Sequence, residues 1–124
     1  MRERPLVAIV DDDKSIRHAT QDLLKAAGFS TATFEDAESF LGSASRVSAG
    51  CVVADMRMPR MTGLELVTTL REQGVKVPAL LISGRPTPAI RRQASFAGIP
   101  VVEKPFLGNG LIDCIRAAVG TKPS

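Results

Sequence analysis

Five times along the chain a short apolar run gives way to a stretch with helical spacing, and this alternation restricts the fold more than any single residue does. The runs Leu6–Val10, Phe29–Phe34, Cys51–Ala54, Pro78–Ile82 and Val101–Glu103 are strand-length and rich in apolar or β-branched side chains. Between them the period changes. Ile16, Ala19, Thr20, Leu23, Leu24 and Ala27 share one face of a helix predicted from Lys14 to Ala27, with Asp13 as its N-cap and Gly28 as its stop. Asp36 is placed to cap a short helix through Leu41, and the loop Met56 to Gly63 delays a third helix that runs to Gln73 and ends at Gly74. Two more helices are expected over Pro88–Ala97 and Leu111–Val119. Such alternation predicts an α/β doubly wound fold: a parallel sheet, right-handed crossovers and helices on both faces.

Length and charge narrow the function classes. A chain of 124 residues is one domain, with its core over about 6–119 and a short tail from Gly120 to Ser124. The net charge of +3 comes from scattered basic residues, of which only Arg85, Arg91 and Arg92 lie close together, and Phe is the only aromatic type. A nucleic-acid surface interleaves basic and aromatic residues, so no direct nucleic-acid partner is expected. No apolar run approaches the roughly 18 residues of a membrane span, and Met1 to Pro5 leads into the first strand without a signal-like region. The expected location is cytoplasmic, without a membrane partner. Cys51 and Cys114 have no companion ligands and read as reduced, buried residues; His18 reads as an ordinary residue on a solvated helix face.

Ligands of doubly wound sheets bind beyond the carboxyl ends of the strands. That rule selects Asp11 and Asp12 after the first strand, Asp55 after the third, Ser83 after the fourth and Lys104 after the fifth. The run Val10-Asp11-Asp12-Asp13 is notable on its own. Two carboxylates about 4 Å apart repel by roughly 4 kcal/mol at an effective dielectric near 20. As plain helix-start acids they would each contribute only about 0.3–1 kcal/mol through the helix dipole. A cation is therefore expected to join them, and an all-oxygen donor set favours Mg²⁺. With a hydroxyl and an ammonium nearby, the set reads as a phosphoryl site in which a carboxylate can be the nucleophile. Met56, Met58 and Met61 read as flexible packing around it.

Four motifs, Val10-Asp11-Asp12-Asp13, the segment from Val53 to Gly63, Leu81-Ile82-Ser83-Gly84 and Val102-Glu103-Lys104-Pro105-Phe106, occur in an order and at spacings that resemble a bacterial two-component response-regulator receiver domain. The ending Glu103-Lys104-Pro105-Phe106 is most similar to receivers of the FixJ type. The resemblance implies a flavodoxin-like (βα)5 sandwich with strand order 2-1-3-4-5. It implies Asp55 as phosphoacceptor, and Mg²⁺ held by Asp12, Asp55 and the main-chain carbonyl of Arg57, with Asp11 acting through a bound water. Ser83 and Lys104 would then hold the phosphoryl group, Lys104 fixed by a cis peptide to Pro105. The implied partners are a sensor histidine kinase or small phosphodonor and a downstream effector or phosphotransfer protein, and the family allows a homodimer formed on phosphorylation. Two departures stand out. Val101 occupies a position often aromatic in receivers, and the stretch from Ser83 to Lys104 is about one residue shorter than in FixJ-type receivers.

Rival functions fit less well. An aspartyl-phosphate hydrolase needs an acid two residues after its nucleophile, where this chain has Arg57. A flavin-mononucleotide binder needs Ser, Thr and Gly after the first strand, where Asp11 to Asp13 would repel a phosphate. Within the receiver reading, the short tail favours a stand-alone regulator, and the alternative is the receiver portion of a longer DNA-binding transcriptional regulator.

Overall fold

The computed structural model describes residues 6–84, 86–103 and 110–119, apart from the side chains of Arg46 and Val47. The strands are β1 (Leu6–Val10), β2 (Ser30–Phe34), β3 (Cys51–Asp55), β4 (Ala79–Ser83) and β5 (Val101–Glu103). The helices are α1 (Lys14–Ala26), α2 (Ala37–Leu41), α3 (Ser45–Ser48), α4 (Gly63–Glu72), α5 (Pro88–Phe96) and α6 (Gly110–Ala118). All strand pairs are parallel, in the order β2-β1-β3-β4-β5, as expected.

Period-2 alternation in the central strands feeds two separate cores. Val7 and Ile9 of β1, Cys51 and Val53 of β3, and Leu80 and Ile82 of β4 pack with Leu24 of α1 and Leu111, Ile112 and Ile115 of α6. Their neighbours Ala8, Val10, Val52, Ala54, Ala79 and Leu81 pack on the other side with Phe40 of α2, Leu66, Val67 and Leu70 of α4 and Ala94 of α5. A strand buried on both faces must be apolar throughout, which is why these three read as continuous apolar runs. The edge strands β2 and β5 are only half-buried, in keeping with their alternating or short sequences.

Several limits differ from expectation by one residue: β2 starts at Ser30, β4 runs over Ala79–Ser83, α1, α4 and α5 each end one residue early, and α6 lies one residue earlier. The sheet ladder runs one residue further in β3, because Asp55 pairs with Ile82 and the Met56 amide donates to the Ile82 carbonyl at 2.8 Å, so Asp55 ends the strand rather than following it. The short helix α3 was not expected. Ala44 before it supplies no side-chain cap, so the local sequence carries no start signal.

Gly63 sets the distance between α4 and the sheet. A Cβ there would lie 2.5 Å from the Asp55 carbonyl oxygen and 2.8 Å from Leu81 Cδ2. Gly63→Ala should therefore destabilise the fold by about 1–3 kcal/mol, seen as a lower urea midpoint at unchanged slope. Cys51, at the start of β3, is fully buried, and burial pushes its thiol from 9.0 up to about 12. The folded state thus holds the proton while the unfolded thiol ionises, so this contribution to stability is present below pH 9.0 and is lost as pH rises toward about 12. At pH 8 a thiol reagent should titrate half-buried Cys114 in the native protein and reach Cys51 only after denaturant is added.

Candidate functional site

β1 and β3 are hydrogen-bonded neighbours with Val10 opposite Ala54, so the next residues, Asp11 and Asp55, reach the same end of the sheet side by side. Parallel strands lie about 4.8 Å apart, which brings the two carboxylates close together. One oxygen from each of Asp11, Asp12 and Asp55 lies within 4.8 Å of the others. Asp11 and Asp55 are buried and Asp12 is exposed.

Backbone amides orient the two buried acids. The Asp13 amide donates to Asp11 Oδ1 at 3.0 Å, and the Arg57 amide donates to Asp55 Oδ1 at 3.3 Å. Each is a side-chain turn onto the amide two residues on, a habit of Asp at loop starts. The Asp11 amide is itself tied to the Phe34 carbonyl at the end of β2. Asp13 has the separate task expected of it, accepting from the Ile16 amide at 3.1 Å as the N-cap of α1.

Unit negative charges about 4.8 Å apart repel by about 3.5 kcal/mol at an effective dielectric near 20, and by less where one is exposed as Asp12 is. The group contains oxygen donors only and no imidazole or thiolate, so it fits a hard divalent cation rather than zinc or copper. Arg57 lies two residues after Asp55, its side chain exposed and its amide at the rim of the cluster.

Ser83 ends β4, is 2% exposed and lies opposite Glu103 of β5, one step beyond the Ile82 that pairs with Asp55. It thus joins the same end of the sheet. Lys104 and Pro105, like Arg85, lie outside the described residues. His18 is exposed on α1, and Met56 and Met58 are buried beneath the loop after β3. Val101 is half-buried against the core on the α4 side of the sheet.

Two residues of the site's surroundings escaped the sequence reading. Arg17 of α1 donates from Nη1 to the main-chain carbonyl of Asp11 at 2.8 Å. Its spacing of four from the cap Asp13 puts it one turn above the loop, which was the available signal. Arg60 sits at φ 70° in a three-residue turn closed by the Met61 amide on the Pro59 carbonyl. Its guanidinium lies 3.8 Å from Asp36 and 3.7 Å from Glu38. Asp36 is held below the usual carboxylate range mainly by hydrogen bonds from Ser39, with Arg60 a lesser cause. No local pattern announces this contact, since α2 and the loop after β3 are far apart in sequence.

Comparison with known proteins agrees with this geometry. The family model for the response regulator receiver domain matches residues 7–116, and the chain belongs to that family. Response regulator protein TodT of Pseudomonas putida is 34% identical over 119 residues, which cover 95% of this chain and 52% of TodT. Transcriptional regulatory protein FixJ of Bradyrhizobium diazoefficiens is 34% identical over 114 residues, covering 91% of this chain and 56% of FixJ. The chain thus spans about half the length of these curated relatives. The crystal structure of FixJ-N superposes with a TM-score of 0.86 at 32% identity, covering 100% of this chain and 99% of that one. The protein is a receiver domain of two-component signalling, a regulator with a CheY-like fold. Among the described residues no helix is long and apolar enough to cross a membrane.

The opposite roles of adjacent acids make a stability test. In chelator, Asp13→Ala should lose about 1 kcal/mol with the helix cap, whereas Asp12→Asn should gain roughly 1 kcal/mol by removing a repelling charge. Thermal unfolding of the two variants checks the signs.

Proposed function

We propose that the chain is a Mg²⁺-dependent phosphoacceptor switch modified on Asp55. The observation that carries this reading is the convergence of Asp11, Asp12 and Asp55 at the ends of two adjacent strands in a chain of the receiver family. Mg²⁺ would be held by Asp12, Asp55 and the main-chain carbonyl of Arg57, with Asp11 reaching it through a bound water, and when bound it would supply the positive charge that three carboxylates and a phosphoryl group require.

In the transfer, an Asp55 carboxylate oxygen attacks the phosphorus of a phosphohistidine or an acyl phosphate. The donor's P–N or P–O bond breaks, the leaving group keeps the electron pair, and Asp55 becomes an acyl phosphate. The Arg57 amide orients the carboxylate, while Ser83 and Lys104 bind phosphoryl oxygens. Water later attacks the phosphorus and returns Asp55 and inorganic phosphate. The protein turns over no substrate for its own sake; these steps set and reset a signal.

Modification adds about −1.5 to −2 charge and new acceptor oxygens at the sheet end. Ser83 and Lys104 are drawn toward them, biasing a two-state equilibrium with a coupling of about 1–3 kcal/mol. The donor partner is a cytoplasmic sensor histidine kinase, and the reader is a downstream effector or a phosphotransfer protein. Residues 6–119 form the receiver core as a single domain. One observation favours the receiver of a longer transcriptional regulator over a stand-alone switch: the chain covers 52% of TodT and 56% of FixJ. Nucleic-acid contact would then belong to the other half.

Incubation with acetyl phosphate and Mg²⁺ should add one phosphoryl mass in intact mass spectrometry, and Asp55→Asn should abolish it. No gain at any Mg²⁺ concentration would sink the reading. Calorimetric titration should show Asp12→Ala weakening Mg²⁺ binding far more than Asp13→Ala; equal effects would overturn the ligand assignment.

A further inference from the structure

Asp12 poses a problem of placement. Its exposed carboxylate lies within 4.8 Å of two buried ones, yet among the described residues no hydrogen bond holds its side chain there. Repulsion favours swinging it out into water. What keeps it in place must act through the backbone, and the backbone on its amino-terminal side is the Asp11–Asp12 peptide plane.

That plane is gripped by one side chain. Arg17 Nη1 donates to the Asp11 carbonyl at 2.8 Å from a half-buried position on α1. A charge-assisted bond of this length is roughly twice as strong as a neutral one. Arg17 is in turn anchored, its own amide donating to the Asp13 carbonyl at 2.9 Å in the first turn of α1. The Asp11 amide is fixed on the other side by the Phe34 carbonyl at 3.0 Å, and Asp11 Oδ1 by the Asp13 amide. The Asp11 amide, carbonyl and carboxylate thus each have a partner, and the Arg17 bond restrains how the peptide leading to Asp12 is rotated.

We propose that Arg17 is a positioning residue: by holding the Asp11 carbonyl it fixes the peptide plane that aims Asp12 at Asp11 and Asp55. The inference rests on the phosphoacceptor reading only for its consequence, tighter Mg²⁺ binding; the positioning itself is a property of the metal-free protein. Arg17→Ala removes the bond, and Arg17→Lys keeps the charge and one donor on a shorter, more flexible stem. Thr87→Ala, which removes the N-cap of α5 far along the chain, controls for a general loss of stability.

The test combines two measurements on all four proteins. ¹⁵N relaxation without metal should show the Asp12 amide near the rigid order parameter of about 0.85 in the wild type and Thr87→Ala, and below about 0.6 in Arg17→Ala. Mg²⁺ titration by calorimetry should show affinity about tenfold weaker in Arg17→Ala, partly restored in Arg17→Lys and unchanged in Thr87→Ala. An Asp12 amide as rigid in Arg17→Ala as in the wild type would overturn the inference, and so would equal Mg²⁺ affinity in those two proteins. A wild type that binds no Mg²⁺ would remove the phosphoacceptor reading instead, and the order parameters would still decide the role of Arg17.

Discussion

The structure is organised around acids that its own strand pairing brings together. Pairing β1 with β3 in parallel buries Val10 and Ala54 and necessarily delivers the two residues that follow them to one end of the sheet. Because those residues are Asp11 and Asp55, each increment of core burial also presses like charges together. The fold tolerates them because both faces of β1, β3 and β4 are fully packed, and no relaxation of the strands is available that does not open a core.

The same rigidity decides where a change at the site can go. Central strands packed on both faces cannot move individually, so a charge added at Asp55 would act on the loops leaving β1, β3 and β4 and on the helices those loops feed. The loop after β3 is held at both ends. The Gly63 amide closes on the Met56 carbonyl, and Thr62 and Glu65 form a reciprocal cap at the start of α4. Between these points the turn at Arg60 is in a left-handed conformation that side chains disfavour, and its ion pairs to Asp36 and Glu38 are exposed and weak, about 0–1 kcal/mol each.

Most of the architecture was readable because strand and helix periods are clean. β1 and β5 have the expected limits, and Asp13 and Asp36 cap the helices assigned to them. The acids were legible because carboxylates at the ends of apolar strands have few innocuous explanations. What the sequence concealed are contacts whose partners are main-chain atoms or lie far away. A carbonyl such as that of Asp11 has no residue letter, so the grip of Arg17 on it leaves only a spacing as its trace. The length of β3 turned on one amide bonding across to β4, and α3 has neither cap nor period to announce it.

The strict sorting of alternate residues into two cores has an evolutionary consequence. One residue gained or lost inside β1 or β3 would exchange the layers of everything beyond it, sending Val10 or Ala54 to the wrong face and rotating Asp11 or Asp55 away from its counterpart. Related genes can therefore change length only outside these frames, in segments such as 42–50 and 73–78 that enter strands from the end opposite the acids. In this chain the strands act as a reading frame for the site, and the connections on the far side are where indels can accumulate.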